Sequence, residues 1–198
     1  MSEESPADKL DLVERIARSP VGASVLGVWA AAEAVVLPIV PDVGLGLLAI
    51  AVPSRATRLF AAVVVGALAG TLVLATFASQ APDEARGLIL RVPAIDASVL
   101  SDAEDDLARD GIAGFAQLGP GPPLKVYTVE WLRQGRDIAG AVVGTILNRI
   151  TRIGPVLLVA GAVGYVAGPW FRRHARLTLM AYAALWLLFY VAWFSSPA

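Results

Sequence analysis

Long apolar runs alternate with short clusters of charge along this chain, and the positions of the clusters predict its elements. Residues 1–19 read as a surface helix. Ser5-Pro6 fits an N-cap followed by proline at the first helical position, and Leu12, Val13, Ile16 and Ala17 form one apolar face against Asp11, Glu14, Arg15 and Arg18. Such a helix either lies on the bilayer or caps a bundle. Val21 to Leu37 is apolar apart from Ser24 and Glu33, and Val43 to Val52 continues the run. Between them stand Pro38, Pro41 and Asp42. Each proline removes a backbone donor and clashes with the preceding turn, so helix is expected to fail near Leu37. A carboxylate at bilayer depth costs about 3 kcal/mol on insertion scales and usually faces a polar cavity. Apolar arms meeting at this break therefore predict a re-entrant hairpin with its tip at a cavity.

Leu59 to Ser79 is a clean apolar stretch of about 21 residues, long enough to span hydrocarbon. It carries Gly66-Ala-Leu-Ala-Gly70, a small-residue face that lets another helix approach closely. Residues 80–110 form a polar insert in which acids outnumber arginines. Its run from Ser101 to Arg109 lacks the spaced ligands and central glycine of a calcium-binding loop. Ser101 is expected instead to cap a short helix with acids in its first turn. A second broken segment, Ile112 to Trp131, centres on Gly119-Pro-Gly-Pro122-Pro123-Leu-Lys125, which is expected to be neither helix nor sheet interior. It repeats the plan of the first: apolar arm, proline-rich break with a charge, second arm. Ile138 to Phe171 is apolar but for Asn148, Arg149 and Arg152. A basic cluster from Arg172 to Arg176 precedes a last span, Leu177 to Phe194, with Trp186 and Trp193 among its aromatics.

Composition places these elements in a membrane. The chain of 198 residues is 57% hydrophobic and only 17% charged, against ~25% charged in soluble domains, and its mean hydropathy is +0.66. It has no cysteine and one histidine, His174, which excludes disulfides and thiolate chemistry and leaves no multi-histidine metal site. No secretory signal is expected from the acidic N-terminus. If both broken segments are re-entrant, Arg55, Arg58, the Arg172–Arg176 cluster and Lys9, Arg15 and Arg18 share one side, opposite the acidic insert, with Arg133 and Arg136 outside. The positive-inside rule then puts the N-terminus in the cytoplasm. The expected architecture is an all-α, polytopic membrane bundle with two opposed re-entrant helical hairpins, an inverted repeat around a midplane site.

Glu33 followed by Pro38-Ile-Val-Pro41-Asp42, then Pro122-Pro-Leu-Lys125-Val-Tyr-Thr128, then Asn148-Arg149-Ile-Thr-Arg152, resembles in order and spacing the DedA family, also called the VTT or SNARE-associated membrane proteins. The resemblance covers about residues 20–170, with a short bacterial type as its nearest form. This chain departs from the family at Glu130-Trp131, at Asn148 and in the length of its acidic insert. The chain is thus expected to divide into an N-terminal amphipathic interfacial helix over 1–19, a VTT-like membrane domain over 20–171 containing the acidic insert 80–110, and a basic loop with a C-terminal transmembrane helix over 172–198. The resemblance implies a bacterial or archaeal plasma-membrane protein that moves phospholipids or polyprenyl-phosphate lipids between leaflets, some members being linked to proton-dependent transport.

Lys125, Arg149 and Arg152 are the candidate phosphate partners: arginine offers a fork to phosphate oxygens and lysine a point charge. Arg149 and Arg152, three apart, are expected on neighbouring positions of one helix face. Glu33 and Asp42 would balance those cations in an empty site. Alternatively, Glu33–Arg152 and Asp42–Lys125 are structural ion pairs, or the two arginines snorkel at the interface. Ile138–Leu147 is too short to span alone, whereas Ile153–Phe171 nearly suffices. An enzyme would need a nucleophile with its base, or clustered carboxylates for a metal. Neither pattern is present, so no catalytic residue, metal or cofactor is expected. A scaffold protein is the other class, supported by the face at Gly66 and Gly70, which also suits a homo-oligomer. The partners expected are anionic lipid headgroups, with no nucleic acid.

Overall fold

The structure is a computed structural model and describes residues 6–116 and 121–195. Ser5, the expected first N-cap, and Gly119-Pro120 of the second break lie outside the described residues. Every described element is helical. Helix α1 (Pro6–Arg18) leads into α2 (Pro20–Val35) and α3 (Asp42–Ala51), and a 3-10 turn (Pro53–Arg55) opens α4 (Ala56–Gln80). The insert folds as α5 (Pro82–Ile89) and α6 (Ala97–Asp110), followed by a second 3-10 turn (Gly111–Ala116) and α7 (Leu124–Arg133). Then come α8 (Ile138–Asn148), a π turn (Arg149–Ile153), α9 (Gly154–Arg173) and α10 (Ala175–Ser195). Among the described residues three stretches are long and apolar enough to cross a membrane: Pro53–Gln80, Ile138–Phe171 and Ala175–Ser195.

Small residues set the central packing. A Cβ on Gly66 would strike the carbonyl of Gly27, and one on Gly70 that of Ala31. Only glycine lets α2 and α4 come this close. Numbers rise together along this contact, so α2 and α4 run side by side in the same direction. Two consecutive parallel helices need a return between them, and α3 with the turn after it supplies one. Gly164 of α9 seats against Ile50 and Pro53, while Thr71 of α4 and Thr145 of α8 share a buried hydrogen bond of 2.9 Å. The rod from 138 to 171 therefore runs opposite to α4.

Helix α7 lies inside this frame, with every residue from Leu124 to Leu132 buried. Helices α4, α5 and α6 pack around it. Phe115 packs on its Tyr127 and Trp131 rings, with centroids 5.4 and 5.6 Å away. Helix α1 divides its apolar residues: Val13 and Ala17 pack inward, while Leu12 and Ile16 stay exposed.

Several expectations are corrected here. Leu124 and Lys125 belong to a helix, because Pro123 takes the extended N-cap conformation (φ −62°, ψ 154°) and α7 starts directly after it. The other arm of the second broken segment is a six-residue 3-10 turn rather than a helix. Ser101 lies within α6, whose cap is Asp96, accepting from the backbone N–H of Ser98 at 2.8 Å and Val99 at 3.2 Å. Leu100, Ala103 and Leu107 are the buried face of α6, and including Leu100 moves the start back to Asp96. Ile138–Leu147 and Ile153–Phe171 are not separate pieces, since the π turn joins them. The basic cluster is no loop: α9 runs through Arg173, α10 starts at Ala175, and His174 alone divides them.

Candidate functional site

Prolines create the site by leaving carbonyls without helical partners. In a continuous helix the Leu37 carbonyl would accept from residue 41, but Pro41 has no N–H. Helix α2 ends at Val35 and α3 begins at Asp42. Lys125 of α7 donates its Nζ to the Leu37 carbonyl at 2.9 Å and stands 3.8 Å from Glu33 Oε1. On the other side, Arg152 Nη1 donates to the carbonyl of Pro122 at 3.1 Å. Each break thus gives a free carbonyl to a cation from elsewhere in the chain.

Glu33, Asp42, Lys125, Arg149 and Arg152 all line one pocket, together with Pro38 and Pro123. Of the other prolines expected at the breaks, Pro122 takes part through its carbonyl, and Pro41 stands as the N-cap of α3. The pocket gives about 70 Å³ to the centres of water-sized molecules, room for several waters. Glu33, Lys125 and Arg149 are buried, and Arg152 is half-buried. Snorkelling therefore does not describe Arg149. Two polar atoms here are buried without a partner, Asp42 Oδ1 and Arg149 Nε.

The pairing differs from the sequence expectation. Arg149 Nη2 donates to Glu33 Oε2, so Glu33 holds Arg149 and Lys125 rather than Arg152. Asp42 forms no ion pair with Lys125, which is engaged by Glu33 and Leu37. The reason is the π turn, which widens the coil to i→i+5 bonding where an α-helix would place both arginines on one face. Arg149 turns to α2 and Arg152 to the second break. Asn148, the last residue of α8, donates Nδ2 to the Phe115 carbonyl at 2.9 Å and anchors the start of that turn.

Sequence reasoning missed one wall of the pocket. Phe189, Tyr190 and Trp193 of α10 line it. Tyr190 accepts the Val40 N–H at 2.9 Å, and Tyr182 donates to the Val43 carbonyl at 2.6 Å. Trp29 donates Nε1 to the Ile39 carbonyl at 2.8 Å. The available signal was the eight-residue spacing of the two tyrosines, which puts them on one helix face. The turn Val92–Ile95 from the acidic insert also contributes to the lining, with Ala94 at φ 62°.

Among the described residues no group of three or more His, Cys, Asp or Glu side chains gathers to hold a metal ion. A second buried carboxylate, Glu130 of α7, takes Arg86 at 3.3 Å and Arg133 at 2.7 Å. It lies outside the pocket lining. Comparisons with family models, with curated proteins and with solved structures give no match to this chain.

Proposed function

We propose that the chain is a polytopic membrane protein of the DedA or VTT kind that carries phospholipid or polyprenyl-phosphate headgroups between leaflets. The observation behind this reading is the pocket: charged side chains from α2, α3, α7 and the π turn converge inside a bundle that has three helices of membrane-crossing length. A lipid phosphate crossing hydrocarbon needs a polar path, charge neutralisation and binding weak enough for release. Arg149, Arg152 and Lys125 supply the cations. The N-termini of α3 and α7 open at the same pocket; α3 carries its own carboxylate, Asp42, in its first turn, whereas α7 has no acid there and its dipole favours a negative group.

In this reading both broken segments are re-entrant, forming an inverted repeat, and the N-terminus is cytoplasmic. The parallel course of α2 and α4 supports a first segment that turns back. Because the chain has no cysteine, labelling of Arg55→Cys and Leu90→Cys tests the topology directly. The two positions are expected to react from opposite sides, and reaction from one side rules the re-entrant arrangement out. For transport, purified protein in liposomes is expected to speed leaflet exchange of labelled phospholipids or polyprenyl phosphate, with Arg152→Ala impaired. Exchange equal to protein-free liposomes for every lipid tried removes the transport reading.

A further inference from the structure

The pocket's two unanswered atoms are chemically opposite. As a carboxylate, Asp42 offers only an acceptor at Oδ1, whereas Arg149 Nε only donates, and both atoms are buried without a partner. Glu33 is held by Arg149 and Lys125, while Arg152 gives Nη1 to the Pro122 carbonyl and has further N–H donors for a ligand. No ion pair joins Asp42 to a cation among the described residues.

Aromatic groups bracket the acidic side. Tyr190 binds the backbone two residues before Asp42 and Tyr182 the backbone one residue after it. Phe189 and Trp193 continue that wall. A carboxylate in a pocket walled by Phe189, Tyr190 and Trp193 suits an organic ammonium, which gains from charge pairing and, over a ring, from its quadrupole. The basic side, with Arg149, Arg152 and the start of α7, suits a phosphate. An anion alone would add a like charge near Asp42 and leave its oxygen unanswered, and a cation alone would do the same to the arginines.

Resting on the transport reading above, we infer that the preferred ligand is a zwitterionic lipid headgroup, with its phosphate on the Arg149 and Arg152 side and its ammonium between Asp42 and the α10 aromatics. The apolar helices around the pocket make the ligand a lipid rather than a free phosphoamine. The preference then belongs to phosphatidylethanolamine and phosphatidylcholine over phosphatidylglycerol and phosphatidic acid.

Two measurements test this separately. Purified full-length protein in detergent, titrated with equal amounts of these four lipids, is analysed for retained lipid by mass spectrometry. In liposomes, leaflet exchange of acyl-labelled versions of the four is followed. Ethanolamine and choline lipids are expected to be retained at least about tenfold over the glycerol lipid, the worth of one charged hydrogen bond. Asp42→Asn is expected to bring that ratio to about one, and Asp42→Glu to keep most of it. Retention with this preference upholds the headgroup assignment even where no exchange is seen, and only the transport reading then fails. Equal retention of all four lipids by the unaltered protein overturns it, even where exchange is rapid. A ratio unchanged in Asp42→Asn overturns the role of Asp42.

Discussion

Among the described residues two glutamates are buried, each against two cations, and they do different work. Glu33 has side-chain exposure of 3%, and its partners Lys125 and Arg149 are 2% and 4% exposed. Glu130 is 1% exposed, yet Arg86 and Arg133 remain 35% and 29% exposed. Around Glu130 both carboxylate oxygens are taken, and the arginines keep part of their hydration. That cluster ties α5 to α7 and ends there. Around Glu33 no partner reaches water freely, and Arg152 and Asp42 stand nearby without closing the network. The same composition is a staple where its cations are wet and a site where they are dry.

The largest effect that tests this contrast comes from neutralising each acid. Glu33→Gln leaves two buried cations without a counter-charge and is expected to cost about 3–5 kcal/mol. Glu130→Gln leaves arginines that can turn to solvent, and a loss of about 1–2 kcal/mol is expected. Thermal unfolding of both variants in one detergent measures the difference, and equal drops would erase the distinction. Salt sharpens it further. Between about 0.01 M and 1 M, screening shortens from about 30 Å to 3 Å. The gap between the unaltered protein and Glu130→Gln is expected to narrow over that range, while the gap to Glu33→Gln holds.

The smallest expected effect concerns Asp96, the exposed cap of α6 in the insert. Its hydrogen bonds with the Ser98 side chain, and then with the Val99 and Ser98 N–H groups, hold its carboxyl below the usual carboxylate range. The cap therefore contributes its full stability above the ordinary aspartate pKa, and that contribution fades as pH falls through the lowered folded value. Asp96→Ala is expected to lower the unfolding midpoint at neutral pH by less than Glu130→Gln, with the difference vanishing in strong acid. An Asp96→Ala deficit that persists at low pH would show that capping is not its origin.

The breaks were legible because proline has one mechanical consequence wherever it stands, and Pro38, Pro41, Pro122 and Pro123 all lie at the helix ends they predicted. Polar residues inside apolar runs were legible too, since hydrocarbon leaves them few places to go. Pairing was not legible. Arg149-Ile-Thr-Arg-Ile153 carries no residue that announces a π turn, and that turn decides which arginine meets Glu33. The α10 tyrosines were hidden for another reason. Aromatics in a lipid-facing helix read as interface anchors, and only the position of the first break gives Tyr182 and Tyr190 their acceptor and donor. The start of α6 was readable and was misplaced, because Asp96 and Ser101 are both good caps and the buried Leu100 decides between them.

The π turn near the middle of the 138–171 rod has a further consequence. One residue added to a regular α-helix would swing everything beyond it by about 100°; a π turn absorbs such a residue locally. It works like a phase shifter in a shaft. Upstream, α8 presents its small residues to Phe115 and Thr71; downstream, α9 presents Gly164 to Ile50 and Pro53. A single rod can thus mesh with two unrelated surfaces, and the point where its phase slips is where its two charged teeth point in different directions.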